Sequence, residues 1–134
     1  IIVGFPGETD VLFAETVAFV DKIMFADVHL FPYSIRNGTK AALFENQVEP
    51  SIKTERLAIL DKHVSQSKEK FLREFIGKEE EVIFEKEIII GENTYLEGHG
   101  KTYQCIAVEK SEKYMINKCY KVFVKSYKDG ILYV

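Results

Sequence analysis

The segment IIVGFPGETD, residues 1–10, decides the fold of the first half of the chain. Its opening residues Ile1–Val3 are apolar and β-branched, which favours a buried strand, and Gly4 ends that strand. Thr9 or Asp10 then offers a side-chain oxygen that can accept the free amide hydrogens at a helix start. A strand, a tight turn and a helix therefore follow one another directly.

The next residues complete a strand–helix–strand unit. Apolar side chains recur at helical spacing at Phe13, Val17, Val20 and Met24. The stretch DVHLFPYS, residues 27–34, predicts a second strand. This order implies two parallel strands joined by a right-handed crossover.

A long helix and a β-rich region are predicted for the rest of the chain. Residues 35–50 form an irregular connection with an Asn-Gly turn, and a helix is expected from Pro50 to about Phe75. From residue 78 onward, short alternating segments and a Gly-rich stretch follow one another: EVIFEKEIII, GENTYLEGHG, TYQCIAVEK, KCYKVFVKSY and ILYV. This pattern is typical of a small antiparallel barrel or sandwich. We therefore expect an α/β segment at 1–77 and an all-β module at 78–134.

The α/β segment is too small to cover its own apolar surfaces. Parallel strands need cover on both faces and neighbours at both edges, and two helices do not supply these. We therefore expect residues 1–77 to be the end of a larger parallel barrel or sheet. The exposed edge of Ile1–Val3 predicts self-association of the chain.

Two loops follow the predicted parallel strands, at the ends where ligands bind in such architectures. In GFPGET, residues 4–9, Gly4 and Gly7 let the backbone approach a ligand and Pro6 stiffens the turn. The following helix start favours a carboxylate or a phosphate. A strand-to-helix turn without a ligand explains the same residues.

The second loop contains two polar candidates. His29 alternates with Phe31 and Tyr33 on one strand face, where a histidine is more often a core residue than an acid or base. Arg36 follows Ser34 on the ligand side and could hold a carboxylate or phosphate with two hydrogen bonds. The alternative for Arg36 is a solvated loop arginine.

Charge is unevenly distributed along the 134 residues. The net charge of −3 gives no overall attraction to nucleic acid, but between residues 110 and 128 only Glu112 opposes a set of lysines. These lysines are Lys110, Lys113, Lys118, Lys121, Lys125 and Lys128. With Tyr114 and Tyr120 between them, they fit either RNA contact or an ordinary solvated strand face. No apolar run approaches the length of a membrane span.

The two cysteines, Cys105 and Cys119, have no metal-ligand spacing and no histidine pair accompanies them. The two cysteines could pair in a secreted protein, but we expect two reduced, partly buried thiols and no metal site.

Three motifs together resemble the C-terminal part of a radical SAM methylthiotransferase: IIVGFPGET, HLFPYSIRNGTKAA, and a helix with Lys53, Arg56 and Leu57. The resemblance implies that residues 1–77 are the end of a partial TIM-like barrel. It implies that residues 78–134 are a TRAM domain, a small OB-like barrel that contacts RNA. The parent would be a cytoplasmic tRNA-modifying enzyme that uses S-adenosylmethionine and two 4Fe-4S clusters.

The resemblance also implies roles for individual residues. It places five residues near S-adenosylmethionine: Gly4, Phe5, Pro6, Gly7 and Glu8. It places four on a loop facing cofactor or substrate: His29, Tyr33, Ser34 and Arg36. The six lysines, Tyr114 and Tyr120 would face the anticodon stem-loop of tRNA.

The sequence around Arg36 separates the branches of the family. An arginine at this position is similar to the tRNA-modifying branches, whereas the ribosomal-protein branch carries an acidic residue. The His29-to-Ser34 context is most similar to enzymes that methylthiolate threonylcarbamoyladenosine next to the anticodon. The isopentenyladenosine and ribosomal-protein branches remain alternatives.

The chain also departs from the family pattern. Members carry CxxxCxxC and further cysteines as thiolate ligands of the clusters, and neither set is present here. We therefore expect no catalytic residue in this chain and no activity from it alone. A stand-alone RNA-binding β-module on an α/β scaffold is the alternative from a different functional class.

Overall fold

The computed structural model describes residues 1–134, which form two compact units, Ile1–Ser67 and Lys68–Val134. The predicted domains 1–77 and 78–134 differ from these units by the last part of a long helix and the turn after it. Their assignment to a barrel end and a TRAM module stays a prediction. Neither helix combines the length and the hydropathy that crossing a bilayer requires.

The first unit begins with the predicted strand–helix–strand arrangement. Its elements in chain order are β1 (Ile2–Val3), α1 (Asp10–Ile23), β2 (Phe31–Pro32), a 3-10 helix (Lys40–Leu43) and α2 (Pro50–Arg73), which continues into the second unit. β1 and β2 pair in parallel, with Ile2 opposite Phe31, as the crossover predicts. β2 is much shorter than the predicted strand over residues 27–34.

Helix α1 starts and ends at residues suited to those positions. Thr9 is the N-cap, and its hydroxyl accepts a hydrogen bond from the amide of Leu12 at 3.3 Å. Met24 follows the helix in the left-handed region with φ 54°, and its amide donates to the carbonyl of Val20. Helical spacing predicts Met24 on the apolar stripe, but it caps the helix and is exposed.

The helices cover only one face of the small sheet. Val3 packs with Phe13 and Val20 of α1 and with Leu60 and Val64 of α2. Because alternate strand residues point to opposite faces, Ile2 and its neighbour Phe31 lie on the other face. Their side chains are 56% and 59% exposed.

The second unit is a mixed sheet of six strands. In chain order these are β3 (Glu79–Ile90), β4 (Asn93–Gly100), β5 (Cys105–Glu109), β6 (Cys119–Phe123), β7 (Ser126–Lys128) and β8 (Ile131–Tyr133). Their order in the sheet is β6-β3-β4-β5-β8-β7. The β-rich module is as predicted, but a purely antiparallel closed barrel is wrong. β5 and β8 run parallel, and the edge strands β6 and β7 do not pair with each other.

The sheet nevertheless curls strongly. β6 and β7 lie at opposite edges although only Val124 and Lys125 separate them along the chain. The two edges must therefore approach each other at this corner. The amide of Val124 donates to the carbonyl of Lys78 at 3.0 Å, and the amide of Lys125 donates to that of Tyr133 at 2.7 Å.

The concave side of this sheet holds the core of the second unit. Its fully buried members include Phe84, Ile106, Val124 and Leu132, and Leu72 of α2 belongs to the same cluster. Gly98 lies opposite Phe84 beside a register shift in β3, and a β-carbon there would clash with the carbonyl of Ile83. A glycine within this strand is thus explained by close backbone approach.

Candidate functional site

A cavity of about 560 Å³ opens on the uncovered face of the first unit's sheet. It lies where β1 and β2 end, because its lining residues come from both strands and from the loops that follow them. Six of these residues are Ile2, Phe5, Phe31, Tyr33, Ser34 and Arg36. The cavity is therefore at the carboxyl ends of the parallel strands, where ligands bind in α/β proteins.

The cavity combines aromatic walls with one free cation. The rings of Phe5 and Tyr33 meet edge to face, with centroids 5.2 Å apart, and Phe31 is exposed nearby. Arg36 is exposed and its guanidinium makes no hydrogen bond or ion pair. This arrangement suits a ligand with a planar apolar part and an anionic group.

The predicted cofactor residues do not line a single cavity. Phe5 contributes to the cavity above and also to a second groove of about 680 Å³ between the first loop and α1. Pro6, Gly7 and Glu8 line only this second groove, and Gly4 lines neither.

His29 also lies apart from both cavities. It is exposed and precedes β2, whereas the cavity lies at the other end of that strand. The structure therefore does not group His29 with Tyr33, Ser34 and Arg36.

The two loop glycines are explained by packing within the chain. Gly4 and Gly7 adopt φ values of 72° and 88°, a region that favours glycine. A β-carbon at Gly4 would clash with the aliphatic part of Lys53, and one at Gly7 would lie 2.7 Å from the side-chain nitrogen of Asn46. The amide of Gly7 also donates to the carbonyl of Asn46 at 2.9 Å.

Glu8 forms a partly buried ion pair with Arg56. One guanidinium nitrogen of Arg56 donates to Oε1 of Glu8 at 2.8 Å and to the carbonyl of Glu8 at 3.0 Å. The same Oε1 accepts from the amide of Gly4 at 3.0 Å. The other nitrogen donates to Asp10 at 2.6 Å. Burial alone would lower the pKa of Arg56, but hydrogen bonds and charges from Asp10 and Glu8 raise it overall.

Lys53 reaches the end of the second strand from the same helix. Its ammonium donates to the carbonyl of Tyr33 at 3.1 Å and lies 5.2 Å from the centroid of that ring. The hydroxyl of Tyr33 is buried without a hydrogen-bond partner. The sequence interpretation assigns no role to Lys53 or Arg56, although their spacing of three places them on one helix face.

The six predicted RNA-binding lysines are all exposed, but their surroundings differ. Lys110 pairs with Glu87 at 2.7 Å, and Lys121 lies opposite Glu81 in the register of β6 and β3. Lys113 lies 5.0 Å from the ring of Tyr114, and Lys118 approaches the sulfur of Met115 at 3.4 Å. Lys125 and Lys128 have no ion-pair partner.

Tyr114 and Tyr120 pack into the core instead of standing free. Their rings lie 5.5 and 5.9 Å from that of Phe84 and 5.2 Å from each other. The hydroxyl of Tyr120 accepts a hydrogen bond from the amide of Met115 at 2.9 Å. This packing accounts for both residues without a stacked base.

The two thiols do not fit an iron–sulfur cluster. Cys105 and Cys119 are free and lie in one row across the sheet, with Ile83 and His99 between them. Burial, followed by the nearby charge of Glu97, raises the pKa of Cys105 to about 11, although a cluster needs thiolates. No group of three metal-ligating side chains occurs.

Comparison with known proteins finds relatives over most of the chain. It is 40% identical over 103 residues to threonylcarbamoyladenosine tRNA methylthiotransferase MtaB of Thermotoga maritima, covering 77% of this chain and 23% of that protein. It is 37% identical over 117 residues to tRNA-2-methylthio-N(6)-dimethylallyladenosine synthase of Wolbachia pipientis wMel, covering 83% and 25%. The enzyme of that name from Rickettsia bellii is 35% identical over 126 residues, covering 90% and 27%.

No family model matches the chain. The chain spans about a quarter of the length of the curated relatives it matches. The three matches cover 77–90% of it, so each includes residues of both compact units. The chain therefore belongs to the radical SAM methylthiotransferase family.

Proposed function

We propose that this chain acts within a longer tRNA methylthiotransferase, where its first unit forms part of the wall around S-adenosylmethionine and substrate and its second unit docks tRNA. The observation that carries the proposal is the identity of 35–40% across both units to proteins named for methylthio transfer to tRNA. Residues 1–77 would then be the end of the barrel, and residues 78–134 the TRAM domain.

The cavity at the strand ends supports this role for the first unit. Its aromatic residues Phe5 and Phe31 offer flat apolar surface to an adenine ring, and the free guanidinium of Arg36 offers two parallel hydrogen bonds to a carboxylate. S-adenosylmethionine, when bound, supplies the methyl group. The chain's own cysteines do not fit a 4Fe-4S cluster, so we assign cluster binding to other residues of the longer protein.

The favoured substrate is threonylcarbamoyladenosine next to the anticodon. The residues from His29 to Ser34 support this branch. Arg36 offers two hydrogen bonds to the carboxylate that a threonylcarbamoyl group carries, although an arginine here fits both tRNA-modifying branches. The relatives include enzymes named for both threonylcarbamoyladenosine and dimethylallyladenosine. The dimethylallyladenosine branch is therefore the alternative that the experiment must separate.

Nucleoside analysis of tRNA tests the proposal directly. Cells that lack the gene are complemented with the full-length protein, with Arg36→Glu or with Lys62→Glu, and their tRNA nucleosides are measured by mass spectrometry. We expect 2-methylthio-threonylcarbamoyladenosine with the wild type and the Lys62 control, and at least tenfold less with Arg36→Glu. Detection of methylthiolated dimethylallyladenosine instead would assign the protein to the other branch. The absence of any methylthiolated nucleoside would overturn the proposal.

The exposed lysines support docking of tRNA by the second unit. Changing Lys118, Lys121 and Lys125 to Glu is expected to weaken tRNA binding. The slope of log K for tRNA binding against log salt concentration should become shallower by about 0.7–0.9 for each phosphate that is no longer neutralised. The control carries the same charge change on exposed helix positions: Lys22, Lys62 and Lys70 to Glu. Equal affinities for the two triple variants would remove the RNA-binding role.

A second candidate function is an RNA-binding β-module with the first unit as a scaffold. It is favoured by the exposed lysines and by the self-contained core around Phe84. This second function predicts that the full-length protein binds tRNA but does not bind S-adenosylmethionine in equilibrium dialysis.

A further inference from the structure

Two cations on one face of α2 contact both loops of the candidate site. Lys53 and Arg56 are one helical turn apart, so their side chains leave the helix on the same side. Lys53 packs against Gly4 and donates to the carbonyl of Tyr33. Arg56 donates to Glu8 and Asp10. Each cation thus joins segments that are distant from it in sequence.

We propose that Lys53 and Arg56 are positioning residues that set the two ligand-side loops relative to each other, and that Glu8 connects Arg56 to the first loop instead of contacting the ligand. This inference rests on the proposed function of the same cavity. It goes beyond it by assigning roles to three residues that do not line that cavity.

The carboxylate of Glu8 is held by contacts within the chain. Its side chain is 14% exposed, and the same Oε1 accepts from the guanidinium of Arg56 and from the amide of Gly4. A carboxylate that is held in this way fixes the left-handed turn at Gly4. Its remaining contact with solvent is small, so it has little surface to offer a ligand.

Lys53 contacts the chain at the ends of both parallel strands. Gly4 directly follows β1, and Tyr33 directly follows β2, so Lys53 touches the chain where both parallel strands end. Tyr33 and the neighbouring Phe5 line the cavity. A shift of the Lys53 ammonium therefore moves cavity walls without removing any group that lines the cavity.

Substitutions in the full-length protein separate positioning from ligand contact. Glu8→Gln keeps an oxygen that accepts from Gly4 and Arg56 but removes the charge, whereas Glu8→Ala removes both. We expect the dissociation constant for S-adenosylmethionine to rise about tenfold in Glu8→Ala and less than threefold in Glu8→Gln. An equally large rise of this dissociation constant in both variants would mean that the charge of Glu8 acts on the ligand, which would overturn the positioning role of Glu8.

Lys53 is tested with a methionine that keeps the aliphatic stem against Gly4. Lys53→Met is expected to raise the KM for S-adenosylmethionine about tenfold. Lys53→Arg, which keeps the positive charge, is expected to leave this KM close to that of the wild type. The matched control is Lys62→Met, an exposed position on the same helix. A KM unchanged by Lys53→Met would contradict the role of Lys53.

Hydrogen exchange provides a readout that does not depend on the ligand. In the ligand-free full-length protein, peptides that cover residues 1–9 and 30–36 should exchange faster in Lys53→Met and Arg56→Lys, while a peptide around Val20 should not change. Unchanged exchange in both loops would overturn the positioning role even if S-adenosylmethionine binds. A wild-type protein that does not bind S-adenosylmethionine but shows faster loop exchange in the variants would instead contradict the proposed function.

Discussion

The two units of the chain differ in how completely they bury their apolar residues. The second unit curls its sheet around its own core, in which Phe84, Ile106 and Leu132 have no accessible surface. The first unit covers one face of a two-stranded sheet and leaves Ile2 and Phe31 more than half exposed on the other. In the first unit, the exposed face of the sheet is also the wall of the candidate cavity, so Ile2 and Phe31 offer surface to a ligand instead of packing into the core.

The core of the second unit should be the most sensitive place to probe this contrast. Phe84→Ala removes a fully buried ring and is expected to cost about 4 kcal/mol of unfolding free energy. Denaturation followed by hydrogen exchange measures it, with peptides from residues 1–60 as the internal control. Equal loss of protection in both units would mean that they unfold together.

A smaller loss is expected where the sheet backbone comes closest to itself. Gly98→Ala places a methyl group against the carbonyl of Ile83 and should cost about 2 kcal/mol. Gly91→Ala is the control, since Gly91 also disfavours a side chain, with φ 63°, but has open space around it. We expect about 1 kcal/mol there. A reversed ranking in urea midpoints would contradict the packing described at Gly98.

The two thiols provide a test on the convex side of the same sheet. With its pKa raised to about 11, half-buried Cys105 is expected to react with iodoacetamide at pH 8 at least tenfold more slowly than exposed Cys119. Mass spectrometry of the labelled peptides measures both rates, and the difference should disappear in urea. Because the folded-state pKa is above the unfolded value, this thiol also makes the fold lose stability as pH rises from about 8.5 toward 11.

The smallest effect is expected on the open face of the first unit. Phe31→Ser changes a side chain that is 59% exposed, so the unfolding free energy of this chain should fall by less than about 0.5 kcal/mol. In the full-length protein, the same change should cost several times more if other segments cover this face. Equal costs in the two proteins would show that Phe31 stays open in both.

The first half of the fold was predictable because its signals are local. A β-branched run, a capping threonine and apolar residues at helical spacing define β1 and α1 without reference to the rest of the chain. The length of β2 was not predictable, since pairing extends only where β1 offers a partner, at Phe31 and Pro32. The parallel pairing of β5 and β8 was missed for a similar reason, because alternation gives the period of a strand but not the direction of its neighbour.

The candidate site was predictable only in part. The rule that ligands bind at strand ends led to Arg36, and the family resemblance added Tyr33 and Ser34; all three line the same cavity. The same rule did not separate residues that line this cavity from Glu8, which lies outside it and pairs with Arg56. The roles of Lys53 and Arg56 depend on contacts across 20 and 48 residues of sequence, which helical spacing alone does not reveal.

The corner at Val124 and Lys125 has a consequence for the order of folding. β3 and β4 meet across the two-residue turn Gly91-Glu92, so their hairpin forms on the order of microseconds. β6 must pair with residues 79–83 of β3, and β8, which forms a local hairpin with β7, must pair in parallel with β5; both pairings join segments that are far apart in sequence. These non-local pairings close late and slow the folding of the module. The short link between β6 and β7 then couples the last two steps, so that docking one edge brings the other within reach.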